Sequence, residues 1–435
     1  MSTVTSPVVL DATAQAIASG IDRIADAING SGGVVYGFHI DGGESDPSEK
    51  VTYLRDAVGM TPAAMNFSSG VFDYGSWEDA FFMPRPCMLK SDGTVDYYLN
   101  PNDYTKKESG AASDVANTSY DGNAMMEWGQ NGKKIWYKVV PSGDGKSASV
   151  YIADHKDDEG YHDYSFHNCK GQSVAHFYTP IYNGSVISSK MRSLSGQVVS
   201  KSLAGTAEIT AAKANNAGSD ELWNIECLAD RILIDFLLIL MGKSTNTQAI
   251  FGQGLVSNGT EAINDGFTTG VHNTKGLFYG DSSGAAATYT NAVKVFGMEN
   301  YWGFQNRRTN GLIMASGVQK IKLTYGKEDG SNVEGYNTDG ADYISIGVTP
   351  TGTTGGYCDE MHFNDKGMFS KSANGDSTHD YCDGFTFDTT ITAFARFGGC
   401  SSDGARAGAF YCRLNGAVSG ALWNVGAAVS CKPAA

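Results

Sequence analysis

The sequence predicts an α+β protein of short twisted strands and extensive loops, with one long internal helix and a short N-terminal coiled-coil helix. Three observations carry this. Charged residues make up 18% of the 435 residues while glycine alone contributes 54, a mixture suited to turn-rich strand structure. Short alternating apolar runs, separated by Gly, Asn and Asp, recur along most of the chain. Helical periodicity is clear in only two segments, 10–28 and 222–241.

In the first of these, Leu10, Ala14, Ile17, Ile21, Ile24 and Ile28 follow alternating steps of four and three. That is an a/d heptad seam, flanked by Asp11, Gln15, Asp22, Arg23 and Asp26. Isoleucine at both positions favours three or four strands, so a homotrimer is expected. Residues 29–33, rich in glycine, end the helix and define a first unit over 1–33 for trimerisation and attachment. A β-rich region over 34–125 and a larger unit over 126–435 follow. Trp136 to Val140 and Ser149 to Ile152 read as strands joined at Gly143-Asp144-Gly145. The polar stretch 103–123 reads as a loop. Over 222–241, Trp223, Cys227, Ile234, Leu237, Leu238 and Met241 form the apolar face of a helix capped by Ser219 or Asp220 and stopped at Gly242. From Gly276 onward the pattern returns to short strands and turns.

Several function classes are excluded on physical grounds. A net charge of −15 opposes binding to a phosphate backbone, so no nucleic-acid partner is expected. The longest apolar run, 232–241, is broken by Asp235 and is too short to cross a bilayer; no membrane insertion is expected. Residues 1–10 lack a basic stretch followed by an apolar one, so synthesis in a cytoplasm, without a standard export signal, is expected. The eight cysteines include no CxxC pair and are read as buried or incidental thiols, with Cys400, Cys412 and Cys431 close enough in sequence to pair. Gly145-Lys146-Ser147 and Gly242-Lys243-Ser244 have Val140 and Leu237 where a phosphate-cradling loop needs glycine. Gly280-Asp281-Ser282-Ser283-Gly284 matches GxSxG, with His362 and His379 downstream, but the chain lacks the strand–helix alternation that carries a nucleophile elbow. Asp154, His155, Asp157, Asp158, Glu159, His162, Asp163 and His167 follow neither EF-hand nor zinc spacing and read as a solvated loop. No catalytic residue, metal or cofactor is expected.

The carboxyl-terminal end differs in kind. Gly398, Gly399, Gly404, Ala407, Gly408, Phe410, Leu414, Asn415, Trp423, Asn424, Val425 and Gly426 form a small and apolar framework, interleaved with residues of scattered chemistry. This segment resembles the variable region of proteins diversified by phage and prophage retroelements. Upstream, Gly297-Met298-Glu299-Asn300-Tyr301-Trp302-Gly303 is similar to the GxENxWG element that those proteins share with formylglycine-generating, sulfatase-modifying proteins. Both groups use a C-type-lectin-like fold. The string His176-Phe177-Tyr178-Thr179-Pro180 is similar to phage tail relatives, so the likeness spans about 126–431.

The resemblance implies a C-type-lectin-like domain over 126–435 with a variable region near 394–424. Its ligand-binding positions would be Cys400, Ser401, Ser402, Asp403, Arg406, Arg413, Gly416, Gly420 and Leu422, with Phe394, Arg396 and Cys412 beside them. Gly398, Gly399, Trp423 and Asn424 would be scaffold. In that family AAY codons change only at adenines, which never yields Lys, Glu, Gln, Met or Trp; none of these occupies a candidate position. Two departures matter. The sugar-binding EPN and QPD strings are absent, and Val425 stands where WND has its Asp, so calcium-dependent sugar binding is not expected. Cys400 and Cys412 fall in the variable stretch, which does not suit catalytic thiols. The resemblance therefore implies a non-enzymatic, homotrimeric receptor-binding (host-adhesion) protein at a virion tail tip or fibre. Its partners would be a host cell-surface protein or glycan and, through 1–33, other tail proteins. The rival readings are a GxSxG hydrolase, a sulfatase-modifying-type oxidase, or a purely structural tail component.

Overall fold

The computed structural model describes residues 32–216 and 221–434. The coiled-coil seam over 10–28 lies outside these residues, as do Ser219 and Asp220. The described chain is α+β and mostly short strands, with α-helices at Gly205–Lys213, Leu228–Gly242, Thr247–Phe251 and Glu261–Asp265.

A four-stranded antiparallel sheet takes the order Val51–Arg55, Val35–Ile40, Ala148–Ala153, Trp136–Pro141. Its last two strands are the hairpin expected around Gly143-Asp144-Gly145. A seven-stranded sheet draws on distant segments, in the order Trp223–Ile225, Val429–Cys431, Phe177–Pro180, Gly122–Trp128, Arg85–Lys90, Val95–Asn100, Asp103–Lys107. An eight-stranded sheet runs Ile344–Ser345, Val318–Ile321, Asn306–Ala315, Ala393–Phe397, Cys412–Leu414, Gly384–Phe387, Gly355–Tyr357, with Val425–Gly426 parallel to the start of Asn306–Ala315.

Three expectations need correction. The boundary between 125 and 126 falls inside the strand Gly122–Trp128, whose neighbours come from both sides of it. The core is likewise shared: Phe38 and Tyr137 both pack edge-on against Phe236 of the long helix, at 6.1 and 5.7 Å between ring centroids. The long helix begins at Leu228, not 222, because Trp223 and Ile225 are buried on either side of a half-buried Asn224 and pair with Val429–Cys431 as a strand. The stretch 103–123 opens with a strand, Asp103–Lys107, at the edge of the seven-stranded sheet.

Every residue of the helix Leu228–Gly242 is buried, so it is a central core helix rather than an amphipathic one. Its charged residues are answered internally. Arg231 lies 3.5 Å from Asp235, and the Tyr301 hydroxyl donates to Asp235 at 2.9 Å. Burial still raises the Asp235 carboxyl to about 7, against the pull of Arg231.

Candidate ligand-binding face

Register in the eight-stranded sheet sorts the carboxyl-terminal residues onto two faces. Arg308, Arg396, Arg413, Thr386 and Gly355 are partners across successive strands; Arg307, Phe397, Cys412, Phe385 and Gly356 form the adjacent row. Side chains alternate along a strand, so the two rows point to opposite sides. Phe397 and Cys412 meet Leu228, Arg231 and Ile232 of the long helix around a small internal cavity. The arginine row therefore faces away from the helix, toward the loops 398–411 and 415–424.

The GxENxWG turn braces this arrangement. Phe296 and Gly297, both at positive φ, make a two-residue hairpin between Lys294–Val295 and Met298–Glu299. The buried Glu299 carboxylate accepts the backbone N–H groups of Gly270 (2.8 Å) and His272 (3.1 Å), tying down a loop distant in sequence. Burial raises the Glu299 carboxyl and lowers the neighbouring Lys294 ammonium. Trp302 donates its indole N–H to the Gly252 carbonyl at 3.2 Å, and the Gly303 N–H donates to the Gly398 carbonyl at 3.0 Å. Gly398 and Gly399 have φ of 86° and 74°. A Cβ on Gly398 would stand 2.9 Å from the Tyr301 carbonyl oxygen, and one on Gly399 would stand 2.8 Å from the Ala407 Cβ. Only glycine fits both positions.

The candidate positions divide into interior and open groups. Cys400 and Ser401 are fully buried, and Asp403 is 7% exposed. The Ser401 hydroxyl donates to Asn264 Oδ1 at 2.8 Å, and Asn424 Nδ2 contacts the Cys400 sulfur at 3.3 Å. Asp403 is a hub: its carboxylate accepts the Cys400 N–H (2.8 Å), the Tyr411 hydroxyl (3.3 Å) and an Arg413 N–H (2.7 Å). Phe394, Arg396 and Cys412 are also buried. In this chain these six positions are largely covered: Cys400, Ser401 and Asp403 serve as internal partners, Phe394 and Cys412 pack in the core, and Arg396 lies beside Gly416 with 7% of its surface exposed. Ser402 and Leu422 are exposed, with Leu422 at 48%; Arg406, Arg413, Gly416 and Gly420 are half-buried, as are the scaffold residues Trp423 and Asn424.

Between 416 and 424, alternate carbonyls accept hydrogen bonds from outside the segment. Gly416 accepts from the Phe394 N–H (2.9 Å), Val418 from Gly205 (2.7 Å), Leu422 from Ser202 (3.1 Å) and Asn424 from Asn306 (2.9 Å). The Gly420 carbonyl accepts from the Arg308 guanidinium, which also pairs with the buried Glu208. Burial raises Glu208 to about 7 despite this partner. The segment is thus held by main-chain oxygens, and Ala417, Ser419, Ala421 and Leu422 are exposed. Ala405, Ala417, Ser419 and Ala421 were not among the sequence candidates, and their residue types carry no signal that would have found them.

Other sequence features have plain placements. Ser282 is exposed in an irregular loop followed by a single 3-10 turn, Tyr289–Asn291, and not by an α-helix, and no hydrogen bond joins it to a histidine among the described residues. All eight cysteines are free thiols; burial raises Cys400 and pushes Cys412 up to about 12, which opposes a nucleophilic role at neutral pH. In the acidic stretch, Asp154 pairs with Lys133, and Asp163 with Lys134 (3.0 Å) and His167 (2.9 Å). Among the described residues no three His, Cys, Asp or Glu side chains converge as a metal site would require. No described helix is long and apolar enough to cross a membrane.

No family model matches the chain, and no curated protein matches it. Among solved structures the chain is similar to the "Major Tropism Determinant U1 Variant" at 14% identity, covering 80% of this chain and 72% of that chain, with a TM-score of 0.24.

Proposed function

We propose that this chain is a receptor-binding protein of a phage or prophage tail, presenting a retroelement-diversified surface on a C-type-lectin-like scaffold. The observation that carries the reading is the anchoring of 416–424 through alternate carbonyls. Those oxygens belong to every residue type, so side chains can be exchanged while the backbone stays held. The framework motif supports it too, because Gly398 and Gly399 sit where only glycine fits against the GxENxWG turn.

The ligand face comprises Ser402, Arg406, Arg413, Gly416, Gly420 and Leu422, with Leu422 and the adjoining Trp423 as apolar anchor. The partner is a host cell-surface protein or glycan. A single face of this size binds weakly; trimerisation through 1–33, which also attaches to other tail proteins, multiplies it by avidity of roughly 10²–10⁴. The protein is non-enzymatic in this reading and works at a virion tail tip or fibre.

Deep sequencing of the gene within one population tests this. Substitutions should concentrate in the codons of the face; variation spread evenly along the gene would sink the proposal. Unchanged adsorption after the face is altered would favour a structural tail component instead.

A further inference from the structure

Three guanidinium groups lie side by side on the outward face of the sheet, because Arg308, Arg396 and Arg413 are direct partners on adjacent strands. Like charges so placed repel. Two of the three are answered. Arg308 pairs with Glu208 and donates to the carbonyls of Leu203 and Gly420. Arg413 pairs with Asp403 at 2.7 Å, and Arg406 reaches the same carboxylate oxygen at 3.8 Å.

Arg396 has no carboxylate partner among the described residues. Its Nη2 donates to the Asn415 side-chain oxygen at 2.9 Å, and its Nε is buried without an acceptor. Burial first, then Arg413 and Arg308, bring its pKa down to about 10, which leaves it charged at neutral pH. Four guanidinium groups therefore stand against two carboxylates here, in a chain whose net charge is −15. The end of Arg396 occupies the space beside Gly416, where a Cβ would stand 2.2 Å from Nη2. With glycine at 416, no side chain of that residue lies over this guanidinium, which is one strand from Arg413.

We propose that the space left over Gly416 forms a shallow notch that takes an oxyanion, a carboxylate or a phosphate, carried by the receptor. The proposal rests on the reading of 402–422 as the ligand face. An oxyanion there supplies the counter-charge that Arg396 lacks, and a guanidinium edge matches its two oxygens. Arg396, Arg406 and Arg413 are among the positions the resemblance marks as changeable, so the preference for an anion belongs to this version of the chain.

The test titrates the full-length protein with D-glucuronate and with glycerol 3-phosphate, using glucose and glycerol as neutral counterparts. At least one anion should bind once per chain and raise the melting temperature, while the neutral compounds do neither. Binding of glucuronate alone identifies a carboxylate, of glycerol 3-phosphate alone a phosphate, and of both the shared chemistry. Arg396→Gln and Gly416→Val should each weaken binding by roughly tenfold or more, as loss of one charge-assisted contact does. The first removes the charge, and the second keeps every charge and closes the notch, so either decides the matter if the other fails to fold. Binding of neither anion, or binding that survives the substitutions, overturns the proposal. Codon variation on the face without anion binding defeats this inference and leaves the display reading standing; anion binding without codon variation does the reverse.

Discussion

The loops 398–411 and 415–424 flank the strand Cys412–Leu414 and differ in how far side chains fix them. Besides main-chain bonds such as Gly404 N–H to the Val256 carbonyl at 2.7 Å, the first depends on side chains and on backbone shapes open only to glycine: Asp403 gathers Cys400, Tyr411 and Arg413, Ser401 bonds Asn264, and the Phe410 N–H finds the buried Asp383 carboxylate at 2.7 Å. The second is fixed by its own main-chain oxygens. Tolerance to substitution therefore depends on which atoms make the anchor. A contact made by a side chain is lost when the residue changes, whereas one made by a carbonyl is kept.

The hardest blow to this contrast should come from Gly399→Ala. The left-handed backbone and the close Ala407 Cβ each penalise a side chain, and together they should cost about 3–5 kcal/mol in a denaturant titration. Asp403→Asn should follow at about 3 kcal/mol, since it leaves the Arg413 charge without its partner. Near-wild-type stability in both variants would mean that 398–411 is not the rigid half.

Acid acts on the scaffold behind both loops. The segment 415–424 holds no ionisable side chain of its own, but the Arg308 that holds its Gly420 carbonyl is paired with Glu208. His272, beside the Glu299 tie, is buried and lowered to about 4, chiefly by desolvation, and its Nε2–H donates to the Ala292 carbonyl at 2.6 Å. It is neutral in the folded chain, while the unfolded chain protonates it below about 6.5. Its contribution is therefore present above pH 6.5 and is lost as pH falls toward 4, by about 2–3 kcal/mol. Glu208 and Asp235, both raised to about 7, act in the opposite direction. The histidine's share is thus read as the difference between wild type and His272→Gln across that range.

How much of this was legible in the sequence follows from the range of the contacts. The Trp136–Pro141 and Ala148–Ala153 hairpin was readable because its turn and both strands are adjacent in the chain. The glycine pair was readable because a backbone need leaves a residue-type mark. The seven-stranded sheet was not, since Trp223–Ile225 finds its partner at Val429–Cys431, and nothing local distinguishes that strand from the start of the helix. The burial of Ser401 was hidden for the same reason: its partner, Asn264, is 137 residues away. Carbonyl anchoring is invisible in principle, because every residue has a carbonyl.

On the open side, Leu422→Ala should change stability by no more than about 0.5 kcal/mol while reducing receptor adsorption. A stability loss of core size, about 2 kcal/mol or more, would show that Leu422 packs and does not display.

The finest discrimination lies between two glycines of one segment. At Gly420 a Cβ would meet nothing closer than the Ala417 carbonyl oxygen at 3.4 Å, and the backbone is not left-handed. Gly420→Ala should therefore be neutral or stabilise by up to about 1 kcal/mol, through the lower entropy of the unfolded chain. At Gly416 a Cβ would meet Arg396 Nη2, the far end of a flexible side chain and not backbone. Gly416→Ala should cost about 1 kcal/mol as the guanidinium swings aside and gives up Asn415. If so, the cost belongs to Arg396 and not to the loop, and it should vanish when the same change is made in an Arg396→Gln background. An undiminished cost there would place the strain in the 415–424 backbone itself, and the main-chain anchoring would not be the source of its tolerance.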